Sequence, residues 1–168
     1  AVRLAVEALA EVEARRKSEK LAMSEAAARL GIRDPGVLGL AHRLVMEALK
    51  HLNLLDELAK LALGGEPRLG ELRARTRAFL RLFAYRAVLE GADIGELVRF
   101  ARAGREVLGR GALKPVEKAL GRLTTLSARD ALAGKAGDEK LALELGVPLW
   151  LFRVLCRELG RPEAIELL

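Results

Sequence analysis

The chain has 168 residues, 51% hydrophobic but only 4% aromatic, with a net charge of +6 and a pI near 9.9. Its lone cysteine excludes an internal disulfide and a multi-cysteine zinc site, and with only two histidines a site of two cysteines and two histidines is excluded as well. No uninterrupted apolar run approaches the roughly 20 residues a membrane span needs, and no signal-peptide pattern opens the chain, so the cytoplasm is the expected location.

The length suits a single domain over residues 1–168. With so few aromatics the core must be Leu, Ala and Val, a choice that favours helices over sheets. The absence of Gln, the single Asn53 and 31% charged residues are the balance a heat-adapted protein tends to show. Charge is unevenly distributed. Between Arg68 and Arg122 there are thirteen Lys/Arg against six Asp/Glu, while the remainder holds sixteen against seventeen. The excess positive charge therefore lies in the middle third, as a footprint for a polyanion would.

In chain order, residues 1–17 place Val2, Ala5, Val6, Leu9 and Val12 on one stripe of an amphipathic helix. Arg15, Arg16 and Lys17 close its last turn, where cations suit the helix dipole. A short helix is expected from about Ser24 to Leu30, with Gly31 as its stop and Asp34-Pro35 as the next start. A longer helix runs from Asp34 to His51, and Asn53 opens a further segment that Gly64-Gly65 breaks. The stretch RAFLRLFAYRAVL, residues 77–89, is apolar on nearly every side and so reads as a central buried helix from Glu71 to Gly91. Its arginines, Arg77, Arg81 and Arg86, are expected to bury their stems and reach water with their heads.

Asp93 is the expected N-cap of a helix turning Ile94, Leu97, Val98, Ala101 and Leu108 inward and Arg99 and Arg102 outward. After the Gly109-Arg110-Gly111 turn, Pro115 opens a helix with Val116, Leu120 and Leu123 inside. There Lys114, Lys118 and Arg122 fall at i, i+4 and i+8 on one face. Like charges so spaced repel by a few tenths of a kcal/mol per pair, which a bound anion would relieve. Shorter helices follow: one after the Ser127 cap, one from Asp138 to Leu145, the apolar LWLFRVLCREL, and a last one from Pro162.

Catalytic constellations are missing from this pattern. There is no G-x-G-x-x-G, no G-x-x-x-x-G-K-[ST] and no H-E-x-x-H, and GREVLGRG (104–111) sits at a helix end with no strand before it. Cys156 lies in an apolar helix without a histidine beside it, so a buried thiol is expected rather than a nucleophile. The chain does not read as an enzyme. The segment SEAAARLGI is similar to the first helix and turn of DNA-binding helix-turn-helix domains. The recognition position that follows holds Pro35, Gly36, Val37, Leu38, Gly39 and Leu40, none of which reads a base edge. Duplex DNA is therefore not the expected partner.

Several segments together resemble the NusB-like domain, most closely the version at the N-terminus of RsmB/Fmu (Sun)-type RNA cytosine methyltransferases. GLAHRLVMEALKHLNLLDELAKLAL is similar to a helix pair of that family through Ala41, His42, Arg43, Leu44, Val45, Leu49, Lys50, Leu55 and Asp56. ARTRAFLRLFAYRAVL resembles its next helix through Leu80, Arg81, Leu82, Ala84, Tyr85 and Leu89. KPVEKALGRL keeps Val116, Leu120, Arg122 and Leu123, and VPLWLFRVLCRELGRPEAIELL keeps Pro148, Trp150, Leu151, Leu159, Gly160, Glu163, Ala164 and Leu168. The pieces match in order and spacing over residues 2–168. Departures are Glu117, where the family has Asn, and Val147, where it has His; the family's leading basic run is represented only by Arg3.

This resemblance implies an all-α, NusB-like bundle of two packed helical lobes around the central helix. It further implies an RNA-binding accessory domain, an N-terminal fragment of a larger methyltransferase or an accessory to one. Such a domain holds rRNA or tRNA while a separate catalytic domain uses S-adenosylmethionine; no cofactor is expected in this chain. Stand-alone relatives instead act in transcription antitermination beside a ribosomal protein, and a protein-docking role would use the C-terminal helix around Trp150 and Phe152. The residues expected to contact RNA phosphate are Arg3, Arg73, Arg77, Arg99, Arg102, Arg110, Lys114, Lys118 and Arg122.

Overall fold

A computed structural model describes residues 1–168 as twelve α-helices joined by turns and short 3-10 segments. They are α1 (Val2–Arg15), α2 (Glu19–Leu30), α3 (Pro35–Lys50), α4 (Leu52–Leu63), α5 (Ala74–Ala84), α6 (Ile94–Leu108), α7 (Arg110–Leu113), α8 (Glu117–Leu123), α9 (Ala128–Leu132), α10 (Gly137–Glu144), α11 (Leu149–Leu159) and α12 (Arg161–Leu167). The all-α class follows from a core in which aliphatic and small residues supply nearly all the buried surface.

Local chemistry sets most helix ends. Asp34 caps α3, accepting the Val37 N–H at 2.8 Å, with Pro35 in the first turn where its missing N–H costs nothing. Asp93 and Glu96 form a reciprocal capping box at the start of α6. Gly31 and Gly64 close α2 and α4 in the left-handed conformation that glycine adopts without strain.

Two helices share the centre. In α5, Phe79, Leu80, Leu82, Phe83 and Ala84 are all buried, and Phe79 and Phe83 pack with Phe100 of α6 at ring distances of 5.7 and 6.3 Å. Helix α1 is buried just as deeply, Leu4 to Ala10 except Glu7, because α2, α3, α5 and α6 all pack on it. The one-sided stripe expected for α1 is wider in fact. Its alanines are small enough to let neighbouring helices approach on several sides.

Three element boundaries differ from expectation. Helix α2 begins at Glu19 rather than near Ser24, since Ser18 accepts the Leu21 N–H as its cap. Helix α5 begins at Ala74 rather than Glu71; Leu69–Glu71 form a separate 3-10 turn, and a π turn over Tyr85–Leu89 carries the central rod to Gly91. Along α6, Leu97, Phe100 and Gly104 face in, while Ile94 (67% exposed) and Val98 point to solvent.

The main core runs from α1 through α9. Helices α10–α12 bury their own small set, Ala142, Leu143, Phe152 and Ala164, and lean on the outside of α4. Lys135 reaches Glu57 of α4 at 3.2 Å across that junction. No helix is long and apolar enough to cross a membrane.

Candidate nucleic-acid interface

Arginines sort into two kinds according to what surrounds them. Arg81, only 5% exposed, does not snorkel to water as expected. Its Nε donates to Asp56 Oδ1 at 2.6 Å and its Nη1 to Glu13 Oε2 at 3.0 Å, tying α5 to α4 and α1. Burial opposes its charge, but the two carboxylates outweigh that and raise its pKa. Burial would likewise raise the pKa of Glu13, yet hydrogen bonds and charge from Arg77 and Arg81 hold it below the ordinary value.

Two residues expected at the RNA surface are tied to neighbouring backbone, Arg77 half-buried and Arg122 while still exposed. Arg77 donates through Nε to Glu13 at 2.8 Å and through Nη1 to the Leu72 carbonyl at 2.7 Å, with longer bonds to the Leu69 and Gly70 carbonyls. It therefore holds the turn ahead of α5. Arg122 leaves the expected row with Lys114 and Lys118, because Nη1 donates to the Ala62 carbonyl at 2.9 Å and the guanidinium lies against Gly64 at the end of α4. The row is also broken in its backbone, since Lys114–Val116 form a 3-10 turn before α8 starts. Both corrections have one physical cause: carbonyls at the ends of turns and helices offer an arginine fork better partners than water.

The other seven, Arg3, Arg73, Arg99, Arg102, Arg110, Lys114 and Lys118, are exposed and form no salt bridge within 4.0 Å. Six of them are drawn together by the fold. Arg99 and Arg102 share the outer face of α6, and Arg102 borders a groove of about 340 Å³ whose other wall includes Leu113, Glu117 and Leu120. Lys114 and Lys118 flank that wall. Arg73 borders a second cleft of about 550 Å³, together with Leu108, Gly111 and Pro115, neighbours of Arg110 and Lys114. Between Arg99 and Lys118 there are six cations and two acids, Glu106 and Glu117, and Glu117 is occupied by Arg105 at 3.0 Å. Arg3 is joined to this surface only through the packing of α1 on α6.

Exposed cations without a salt bridge also occur elsewhere, at Arg15, Lys20, Arg33 and Arg153 among others. What sets this face apart is the run of six cations against two acids between residues 99 and 118. Other parts of the surface are paired. Arg29, Lys17 and Glu11 form a network between α1 and α2, Arg43 and Arg86 meet Glu90, and Lys135 meets Glu57 and Glu139. Around α6–α8, Arg99, Arg102, Arg110, Lys114 and Lys118 are left able to meet an anion from outside. Sequence spacing pointed to the region but not to which members are spent internally. Comparison with family models, characterised proteins and solved structures yields no match.

Proposed function

We propose that this protein is a non-catalytic RNA-binding module of NusB-like type that positions rRNA or tRNA for a cytosine methyltransferase domain using S-adenosylmethionine. The observation that carries the reading is the cluster of cations at the α6–α8 edge, mostly without salt bridges, outnumbering its acids six to two and set beside clefts. Arg99, Arg102, Arg110, Lys114 and Lys118, with Arg73 and Arg3 at the margins, contact backbone phosphate and release its counterions. Such contacts fix the register of an RNA without reading its sequence. Shape and the 2′-hydroxyl then distinguish RNA from DNA. The helical order and the resemblance of residues 2–168 to the NusB-like pattern, with its two lobes, support the methyltransferase context.

The test is RNA affinity measured across salt concentrations for the protein and for a triple variant, Arg102→Ala, Lys114→Ala and Lys118→Ala. Losing three phosphate contacts lowers the slope of log affinity against log salt by about 2. A control replacing Arg15, Lys20 and Arg33, equally exposed and elsewhere on the molecule, leaves the slope nearly unchanged. Equal losses in both variants would show binding to be diffuse and remove the site.

A second reading rests on Trp150, 67% exposed on α11 one turn from exposed Val154. Here the module docks a catalytic domain or a ribosomal protein, as antitermination factors do. Phe152 takes no part in it, being wholly buried. A partner whose binding is lost on Trp150→Ala, with no RNA affinity in the parent, favours this reading.

A further inference from the structure

The first turn of α5 opens into the 550 Å³ cleft lined by Glu71, Leu72, Arg73, Thr76, Leu108 and Gly111, among others. No side chain caps this eleven-residue helix. The backbone N–H groups of Ala74, Arg75 and Thr76 accordingly have no acceptor, as the first turn of an uncapped helix leaves them. Thr76 is 3% exposed, the sliver that remains faces the cleft it lines, and no hydrogen bond within the protein engages its hydroxyl. That hydroxyl keeps contact with solvent through the cleft, where three free amides and Arg73 also line the wall.

The walls are held in place by the two arginines that follow. Arg75 Nη2 donates to the Val107 carbonyl at 3.1 Å, fixing the end of α6 against the start of α5. Arg77 grips the carbonyls of the 69–72 turn. The one acid in the lining, Glu71, turns an oxygen to the Arg68 N–H at 2.9 Å, closing its own turn rather than capping α5. Donors are thus preformed where the helix dipole is positive and where no protein acceptor reaches them.

The geometry points to a phosphate seat at the N-terminus of α5, formed by the amides of residues 74–76, the Thr76 hydroxyl and Arg73. As a place for one phosphate of a bound RNA it rests on the RNA-binding reading, whereas free phosphate would use the same donors. Arg110 and Lys114, next to Gly111 and Pro115 of the far wall, carry the electrostatic path onward to the α6–α8 edge.

The test uses the full ¹⁵N-labelled chain, titrated with inorganic phosphate against chloride at matched ionic strength, and in a second arm with a structured RNA. Phosphate shifts the amide signals of residues 74–76 saturably. Thr76→Val weakens phosphate binding about tenfold or more, the loss of one hydrogen bond to a charged group, and Thr76→Ser, which restores the hydroxyl, recovers it. RNA shifts the same amides along with those of α6–α8. RNA binding that moves α6–α8 but not residues 74–76 overturns the seat and leaves the RNA-binding reading intact. Saturable phosphate binding without any RNA affinity supports the seat for free phosphate and overturns the RNA-binding reading. Amides unmoved by either titrant, or a Thr76→Val variant that binds phosphate as the parent does, overturn the seat.

Discussion

Gly104 shows how much one missing methyl group decides. A Cβ built there would stand 2.2 Å from the edge of the Phe79 ring, which is fully buried and stacked on Phe100. Glycine in mid-helix normally costs up to about 1 kcal/mol relative to alanine, so its place in α6 is a packing requirement: it lets α5 and α6 close on one another. Gly104→Ala is expected to destabilise the fold by about 1–3 kcal/mol, the range for overpacking a core, read as a lowered denaturation midpoint. An unchanged midpoint would mean that Phe79 moves aside freely. In the sequence this glycine looked only like part of a glycine-rich tail. Arg86 is equally opaque to spacing rules. Its Nε is the one buried side-chain nitrogen or oxygen lacking a hydrogen bond, while its guanidinium faces the Phe100 ring at 5.9 Å and pairs with Glu90.

Between elements, ion pairs join what burial alone would leave free to slide. Glu11, on the buried side of α1, accepts from Lys17 at 2.8 Å and from Arg29 of α2 at 2.6 Å. These hydrogen bonds, that of Lys17 foremost, hold its pKa down to about 2 from an ordinary 4.5. A carboxylate depressed on folding adds stability above its unfolded value and loses it as pH falls towards its folded one. Thermal stability should therefore decline between about pH 4.5 and pH 2, and Glu11→Gln should flatten that decline while lowering stability at pH 7. A variant whose profile parallels the parent's would show that other carboxylates carry the acid sensitivity. Element starts were harder to read than element identities. Asp93 and Asp34 are legible caps because the acceptor lies within the same four residues. The start of α5 is not, because Arg77 fixes the preceding turn through carbonyls five to eight positions back and through Glu13 on another helix.

For the molecule as a whole, burial predicts a gradient of stability. Helices α1 and α5 lie inside the main core, whereas α10–α12 rest outside it on a small buried set of their own. Amide hydrogens of α10–α12 are expected to exchange through local opening at lower free energy than those of α1 and α5, which should wait for global unfolding. Equal protection in both regions would mean that the junction at α4 is as strong as the core. The same layering separates charge from structure: arginines near the core become fasteners, while Arg99, Arg102 and Arg110 on the α6–α8 edge form no salt bridge.

The sequence by itself determined the helical class, the burial of the central part of residues 77–89 (Ala78–Tyr85), the caps at Asp34 and Asp93, and the concentration of positive charge in the middle third. Each of these follows from composition, periodicity or contacts within a few residues. Tertiary structure alone decided that Arg77, Arg81 and Arg122 are spent internally, that Ile94 and Val98 face outward, and that Thr76 and three free amides share a cleft with Arg73. Those outcomes depend on which carbonyls and carboxylates arrive from distant helices, and local spacing carries no record of them.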